Sequence, residues 1–520
     1  MAGEKTALEK DALSRLKDCR DQKLEIERDL REGYFFLAPR RSREVLSTTA
    51  MHVTDRSEDS GELQTSFGME VGQDFVTEII NTFMPQAIGW AQQRPGIDVN
   101  EDDWEEVEEQ INKQTDAIHA AIKASNFYPA VAQAAMPDLP LGTMAMMIQD
   151  LRTTEPIVCL PVPARELEIN IGPYGEVDDR FIVRHTRYRH IPALLPGVKL
   201  PDEIAKKVKE KGSEKCRVAW GYWRLWERQE DVVWQRVIMI GEKIVDSGEL
   251  VGEGSCPLIV GRFNPDPMFA WGDGPTLQCL PELRHLDEVE SLKIDNFDNQ
   301  IHPPFAYPDD GVVNFSSGIE PGMGYPMRPG SGKDFVKLAF DGDPNIAEYV
   351  TEERHKRIRR LHFVDQPEQM GKTPPTAEQW LDENMRAKRR IGTPGLIFWR
   401  EFPAGVFLRF KWLLEKRMKI QPVEVNGKAV SLVPYDPTEI AQDHADVNVA
   451  RMILEIARTV FPQLAEVAID PLETLKNIKK KLRDEVVVIR DQEELAQAVE
   501  VAAPIMGAGG GGGAPPGMAA

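Results

Sequence analysis

A chain of 520 residues is long enough for two or three domains, and its 42% hydrophobic and 28% charged residues are ordinary for a protein that buries sizeable cores. With 63 basic and 84 acidic residues the formal charge is −21, which excludes binding to a nucleic-acid duplex through a broad basic surface. The five cysteines, Cys19, Cys159, Cys216, Cys256 and Cys279, are widely spaced and contain no Cys-x-x-Cys pair, so neither a disulfide framework nor a thiolate zinc site is expected, and a reducing cytoplasm is the natural setting.

Residues 4 to 32 place Leu8, Leu13, Leu16, Leu24 and Leu30 among many charges, which predicts one long polar helix stopped by Gly33, with a thin apolar seam that packs on a partner. The pattern stays helical from about 60 to 150. Phe75, Ile79, Ile80 and Phe83 precede Met84-Pro85, and Ile111, Ile118 and Ile122 follow at helical spacing. Pro137 and Pro140 then separate this run from Leu141-Gly-Thr-Met-Ala145.

Next come short β-branched or aromatic runs divided by turn residues. They are Ile157 to Leu160, Leu167 to Ile171, Phe181 to His185, Ala219 to Leu225 and Val232 to Ile240, and they predict a mainly antiparallel sheet interrupted by one helix from Pro201 to Lys211. Trp220, Trp223, Trp226 and Trp234 alternate with polar residues there, which suits a half-buried sheet better than a base-stacking platform.

Gly272-Asp-Gly-Pro275 leads into a helix whose Leu283, Leu286, Val289, Leu292 and Phe297 recur at helical spacing, with Glu282, Asp287, Glu288, Glu290, Asp295 and Asp298 forming an acidic exterior. Residues 302 to 345 are rich in Pro and Gly and predict an irregular insert with a few short strands. A helix from Ile346 to about His362 follows, then a break at Asp365 to Pro375. A long helical pattern from Thr376 to about Lys419 must kink at Pro394-Gly395 and Pro403. Helix returns from Thr438, with a closing helix from Asp491 to about Val501, and the glycine run at 507 to 513 with Pro515-Pro516 predicts a disordered end. No stretch of about 18 apolar residues and no leader pattern occur, so no membrane anchor or signal peptide is expected.

Several constellations bear on chemistry. Gly330-Ser-Gly-Lys333 and Gly371-Lys372-Thr373 have the ending of a phosphate-binding loop, but Met327 and Gln366 stand where its first glycine is required. The nine histidines form no His-x-x-x-His pair. Asp309-Asp310, Asp341 with Asp343, and Asp295 with Asp298 are acidic pairs of the kind with which a nuclease holds magnesium, yet they read as turns and a solvated helix face. Arg354, Lys356, Arg357, Arg359 and Arg360 make a dense basic cluster. Its main expectation is ion pairing with the acidic helix, in the same subunit or the next, and the alternative is contact with DNA phosphates.

In this order, Gly33-Tyr34 through Pro39, Leu141 to Ala145, Gly272 to Leu286, Thr376-Ala-Glu378, Arg400-Glu-Phe-Pro403 and Val488-Ile-Arg490 with Glu493-Glu494 resemble the landmarks of the portal, or head-to-tail connector, proteins of short-tailed bacteriophages. Met144 replaces a family glycine, Glu282 a family Asp, and Gln379 a family acid. The resemblance implies an α+β, predominantly helical subunit that is not an enzyme, uses no cofactor or metal, and assembles as a dodecamer at one capsid vertex after synthesis in the host cytoplasm. On this sequence it implies a wing over 1–278, a first stem helix at 279–301, a clip at 302–345 and a second stem helix at 346–364. A tunnel loop at 365–375, a kinked wing helix at 376–437, a crown at 438–506 and a tail at 507–520 complete the plan. Gln366, Gln369, Lys372 and Thr373 of that loop become candidate contacts to double-stranded DNA. The implied partners are other copies of the chain, the DNA, the large terminase subunit, major capsid and scaffold proteins, and tail adaptors. An acidic passage repels phosphate and lets a duplex slide, so the negative charge fits a conduit. The rival readings are a DNA-processing enzyme, ATPase or nuclease, and another virion component of capsid or tail.

Overall fold

The computed structural model describes residues 6–40, 62–86, 89–95, 101–150, 157–228, 232–303, 305–308, 324–327, 336–337, 344–364, 390–392, 394–420, 430–434, 447, 449–457 and 471–482. It is a mixed helix-and-sheet fold with helix the larger share, and the chain divides into two compact units, Met1–Tyr435 and Asp436–Ala520.

In the first unit, helix α1 (Ala7–Leu37) opens with a capping box, Thr6 and Glu9 each accepting from the other's backbone N–H. Helices α2 (Phe67–Phe83), α3 (Glu101–Ala124) and α4 (Phe127–Ala135) follow, with strand β1 (Ala91–Pro95) between the first two. Strand β2 (Thr143–Gln149) is the centre of a three-stranded antiparallel sheet, between β3 (Val158–Val162) and the later β9 (Leu258–Arg262). A second antiparallel sheet runs in simple order through β4 (Leu167–Ile171), β5 (Val177–Arg187), β6 (Lys215–Arg224), β7 (Val233–Ile240) and β8 (Lys243–Val251). Helices α5 (Ile191–Leu194) and α6 (Asp202–Glu210) lie in the β5–β6 connection.

The period of two along β2 explains how the layers stack. Met144, Met146 and Ile148 enter one core with α2, α3, α4 and the aromatic residues Phe398, Phe402, Phe407 and Phe410. Ala145 and Met147 point the other way, into a core shared with the five-stranded sheet. Trp220 and Trp234 belong to that second core, and Trp223 packs under α1 with Ala12 and Leu16. Both faces of the larger sheet are therefore covered, and these tryptophans are buried rather than half-buried.

Two expectations for α1 are corrected. Gly33 does not stop the helix but sits inside it, and the seam packs on the chain's own sheet instead of on a partner. Lys23 completes that seam: its buried ammonium donates to Arg165 O at 3.0 Å and Leu167 O at 2.9 Å, 3.6 Å from the Glu168 carboxylate. Strands β1 and β2 break the run expected to stay helical from about 60 to 150, and β8 and β9 lie outside the runs expected as strands. β1 pairs antiparallel with β13 (Val430–Pro434).

The short turn α7 (Pro275–Gln278) leads into α8 (Leu280–Ile301), and α9 (Pro344–Leu361) returns beside it. Between them only three short strands are described, β10 (Phe305–Pro308), β11 (Gly324–Met327) and β12 (Val336–Lys337), in the order β11-β10-β12. Helical residues 394–401 give way at Phe402 to α10 (Pro403–Lys416), whose first-turn proline has no N–H to continue the helix before it, so the break expected at Pro403 is present. Arg262, at the end of β9, is buried and meets Glu401 through Nε at 3.1 Å and Nη2 at 2.5 Å, pinning this helix to the sheet.

In the second unit, helical residues 449–457 and α11 (Pro471–Leu482) are described. Val449, Met452, Ile453 and Ile456 fall on one helical face, and all four are exposed.

Candidate functional site, a charged helix hairpin on a glycine-built base

The hairpin of α8 and α9 leaves the body of the molecule at a junction made of backbone. Gly142 has φ +107°, a conformation that glycine adopts without strain. A Cβ at Gly272 would stand 2.1 Å from Gly142 O, and one at Gly274 would stand 2.2 Å from Pro140 O. Gly33 brings α1 to the same place, where a Cβ would meet Leu141 Cδ2 at 2.2 Å. Thr276 N–H donates to Pro140 O at 3.0 Å, Gly272 N–H to Thr143 Oγ1 at 2.9 Å, and Phe263 N–H to Gly142 O at 2.8 Å. Three sequence landmarks, Gly33, Leu141 to Ala145 and Gly272 to Pro275, are thus parts of one contact that sets where α8 begins.

His362 ties the far leg of the hairpin to this junction. It is buried just after α9, with Nδ1 3.0 Å from Ile358 O and Nε2 2.9 Å from Thr276 Oγ1. A carbonyl can only accept, so Nδ1 carries the proton and Nε2 accepts from the threonine hydroxyl. Burial pushes the pKa of His362 down to about 4, which keeps the ring neutral at physiological pH. Sequence reasoning passed over both residues, because 86 positions separate them.

Charged side chains close the lower half of the hairpin. Arg354 and Arg357 converge on Glu282, the latter with Nε 3.0 Å from Oε1. Glu290 accepts from Lys293 at 2.8 Å and from Thr351 Oγ1 at 3.3 Å. Asp287 Oδ1 accepts from the backbone of Gln64 and Thr65 at 2.8 and 3.3 Å, which anchors the approach to α2. Arg359 reaches Glu70 at 3.8 Å, and His355 stacks on Phe67 with ring centroids 3.9 Å apart. Of the acidic residues expected outside, Glu282, Asp287 and Glu290 are therefore engaged within the subunit, whereas Glu288, Asp295 and Asp298 face solvent. Lys356 and Arg360 are exposed on α9.

The apolar stripe of α8 changes character along its length. Leu283 and Leu286 are buried against α2 and α9 in a core with Phe36, Phe67, Val71 and Ile358. Further out on the same face, exposure climbs from 46% at Ile294 to 56% at Phe297 and 68% at Ile301. Leu292, on the acidic face, and Tyr349 of α9 are exposed as well.

Gln366, Gln369, Lys372 and Thr373 lie outside the described residues, as do both phosphate-loop-like segments, the pairs Asp309-Asp310 and Asp341 with Asp343, and the glycine tail. Among the described residues no group of three or more His, Cys, Asp or Glu is placed to hold a metal ion, and no helix is long and apolar enough to cross a membrane.

Residues 9–393 match a family model described as bacteriophage head to tail connecting protein. No curated protein matches the chain. Two solved structures are similar to it at 12% identity. One is the neck of an empty gene transfer agent particle computed with C6 symmetry, with a TM-score of 0.36 over 74% of this chain and 87% of that one. The other is the virion of a native gene transfer agent particle, with a TM-score of 0.35 over 80% of this chain and 90% of that one.

Proposed function

The chain belongs to the family of bacteriophage head-to-tail connecting proteins, and on that footing we propose that it is the portal subunit of a short-tailed phage, building a dodecameric ring around a DNA channel at one capsid vertex. In this reading α8 and α9 are the stem, residues 302–345 the clip, 438–506 the crown, and the remainder to 437 the wing, with 365–375 as the tunnel loop. The ring gives DNA a passage for packaging and ejection, holds the packaged genome, and offers docking faces to terminase and then to tail adaptors. Terminase supplies the ATP hydrolysis.

The observation that carries this reading is the α8 stripe, sealed at the base of the hairpin and left open toward its end. Contiguous exposed apolar surface on a helix marks a protein interface, and a ring covers the same patch on every copy with its neighbour. Glu288, Asp295 and Asp298 remain outward, where they repel a sliding duplex instead of gripping it. Contact of this kind is blind to base sequence, as a conduit for any genome requires.

Negative-stain electron microscopy of the purified chain tests the proposal. A flanged ring with a central hole is expected. A compact monomer with ATPase or nuclease activity would overturn it in favour of a DNA-processing enzyme.

A further inference from the structure

Away from the hairpin, a cleft of about 550 Å3 opens between the two sheets. One wall comes from β2 and β3, with Met147 and Leu160. The other comes from β5 to β8, with Ile182, Trp220 and Leu250, and α10 closes the floor with Arg409 and Trp412. Its lining is apolar and aromatic apart from a few charged side chains, and those are unequally matched.

Arg184 is paired with Glu166 at 2.7 Å, Arg236 with Asp246 at 2.5 Å, and Asp150 with Arg417 at 3.1 Å. Among the described residues Arg409, only 6% exposed, has no such partner. Its Nε–H donates to Ile148 O at 3.1 Å and its Nη1–H groups to Gly254 O at 3.3 Å and Ser255 O at 2.7 Å. These three acceptors are neutral dipoles, and Nη2 takes part in none of the bonds. The guanidinium lies over one part of the Trp412 ring at 4.8 Å, with Lys416 4.9 Å from the same ring. A second donor in the wall, Arg236 Nε, is buried without a hydrogen-bond partner.

Asp150 in the same lining acts on Arg409 through space but is itself paired with Arg417, so desolvation still outweighs it and holds the guanidinium pKa below its ordinary value. A pocket with an aromatic lining and a few converging donors is built to orient one polar group on an apolar body. We propose that this cleft binds an apolar chain bearing one carboxylate, with the carboxylate on Arg409 and the chain between Leu160, Ile182 and Leu250. The carboxylate can come from a free aliphatic acid or from an acidic side chain flanked by apolar residues in a protein segment. The site is separate from the hairpin and does not depend on the ring.

The test is isothermal titration of the full chain with decanoate and with 1-decanol, and with the peptide acetyl-Val-Leu-Glu-Leu-amide and its Gln counterpart. Saturable binding is expected in at least one arm, with the carboxylate favoured over its neutral analogue by about tenfold, the value of one charge-assisted hydrogen bond. Preference for decanoate alone assigns the site to free acids, and preference for the Glu peptide alone assigns it to a protein segment. Leu250→Trp, at the rim of the cleft, is expected to abolish binding while leaving the melting temperature unchanged. Arg409→Lys, compared only if it melts as the wild type does, is expected to reduce the carboxylate preference. Equal binding of acid and neutral partner in both arms, no binding in either, or binding untouched by Leu250→Trp would overturn the proposal.

Discussion

The two ends of the α8/α9 hairpin share one sequence pattern and have opposite fates. At the base, Leu283 and Leu286 are sealed by α2, α9 and α1, glycine lets backbone touch backbone, and His362 bonds to Thr276. About 20 Å further along, at 1.5 Å per residue, Phe297 and Ile301 continue the same stripe with more than half of their surface open. The base is complete within one subunit, and in the proposed ring the outer half is complete only beside a neighbour. On that proposal stability is set by the base and assembly by the outer half, and substitutions at the two ends should separate these properties.

The largest effect is expected at the junction itself. A side chain at position 274 would collide with the Pro140 carbonyl, which cannot rotate away. Gly274→Val should therefore cost more than about 4 kcal/mol or abolish folding, as read by urea denaturation. A Gly274→Val protein as stable as the wild type would show that the contact is not needed to hold the hairpin.

Matched truncations probe the contrast directly. Leu286→Ala should cost about 2–5 kcal/mol through lost burial and a residual cavity, whereas Phe297→Ala should change the stability of the isolated subunit by less than about 1 kcal/mol. Equal losses at both positions would break the distinction between base and outer half.

A pH profile sharpens it. The folded pKa of His362, near 4, lies below the ordinary value of 6.5. The unfolded chain therefore takes up a proton first, so the stability this residue contributes is present above pH 6.5 and lost as pH falls toward 4. That loss is on the order of 3 kcal/mol. His362→Gln should flatten the profile in that window, and an unchanged slope between pH 6.5 and 4 would contradict the assignment. The smallest effect belongs to Arg357→Ala. Its side chain is 63% exposed and shares Glu282 with Arg354, so less than about 1 kcal/mol should be lost, and less still at high salt.

Much of the scaffold was legible because its chemistry is local. The spacing of Leu283 and Leu286 fits α8, Pro403 marks the start of α10, and the β-branched and aromatic runs from Ile157 to Ile240 fit β3 to β7. What escaped was of three kinds. Lys23 hides the seam of α1, since a lysine reads as surface until its ammonium is seen on Arg165 O and Leu167 O. Gly33 is ambiguous as a letter, because glycine serves equally to end a helix and to let another element approach, and only the Leu141 contact decides. Strands were missed for two reasons: β2 and β9 are short apolar runs that periodicity alone does not separate from buried helix, and β1 and β8 lack such a run. β1 is Ala-Gln-Gln-Arg-Pro with its partner β13 far downstream, and β8 carries charges along a sheet edge. At the candidate site the basic cluster was visible, but its division into Arg354 and Arg357 on Glu282 and Arg359 on Glu70 depends on how α9 is rotated, which spacing alone does not fix.

The most direct test of the central claim is native mass spectrometry of the wild-type chain beside the double variant Phe297→Asp with Ile301→Asp. The account predicts a closed oligomer for the wild type and, for the variant, a monomer with an unchanged melting temperature, because carboxylates on an exposed face disturb only what a neighbour must cover. A variant that still assembles with the wild-type mass would contradict it.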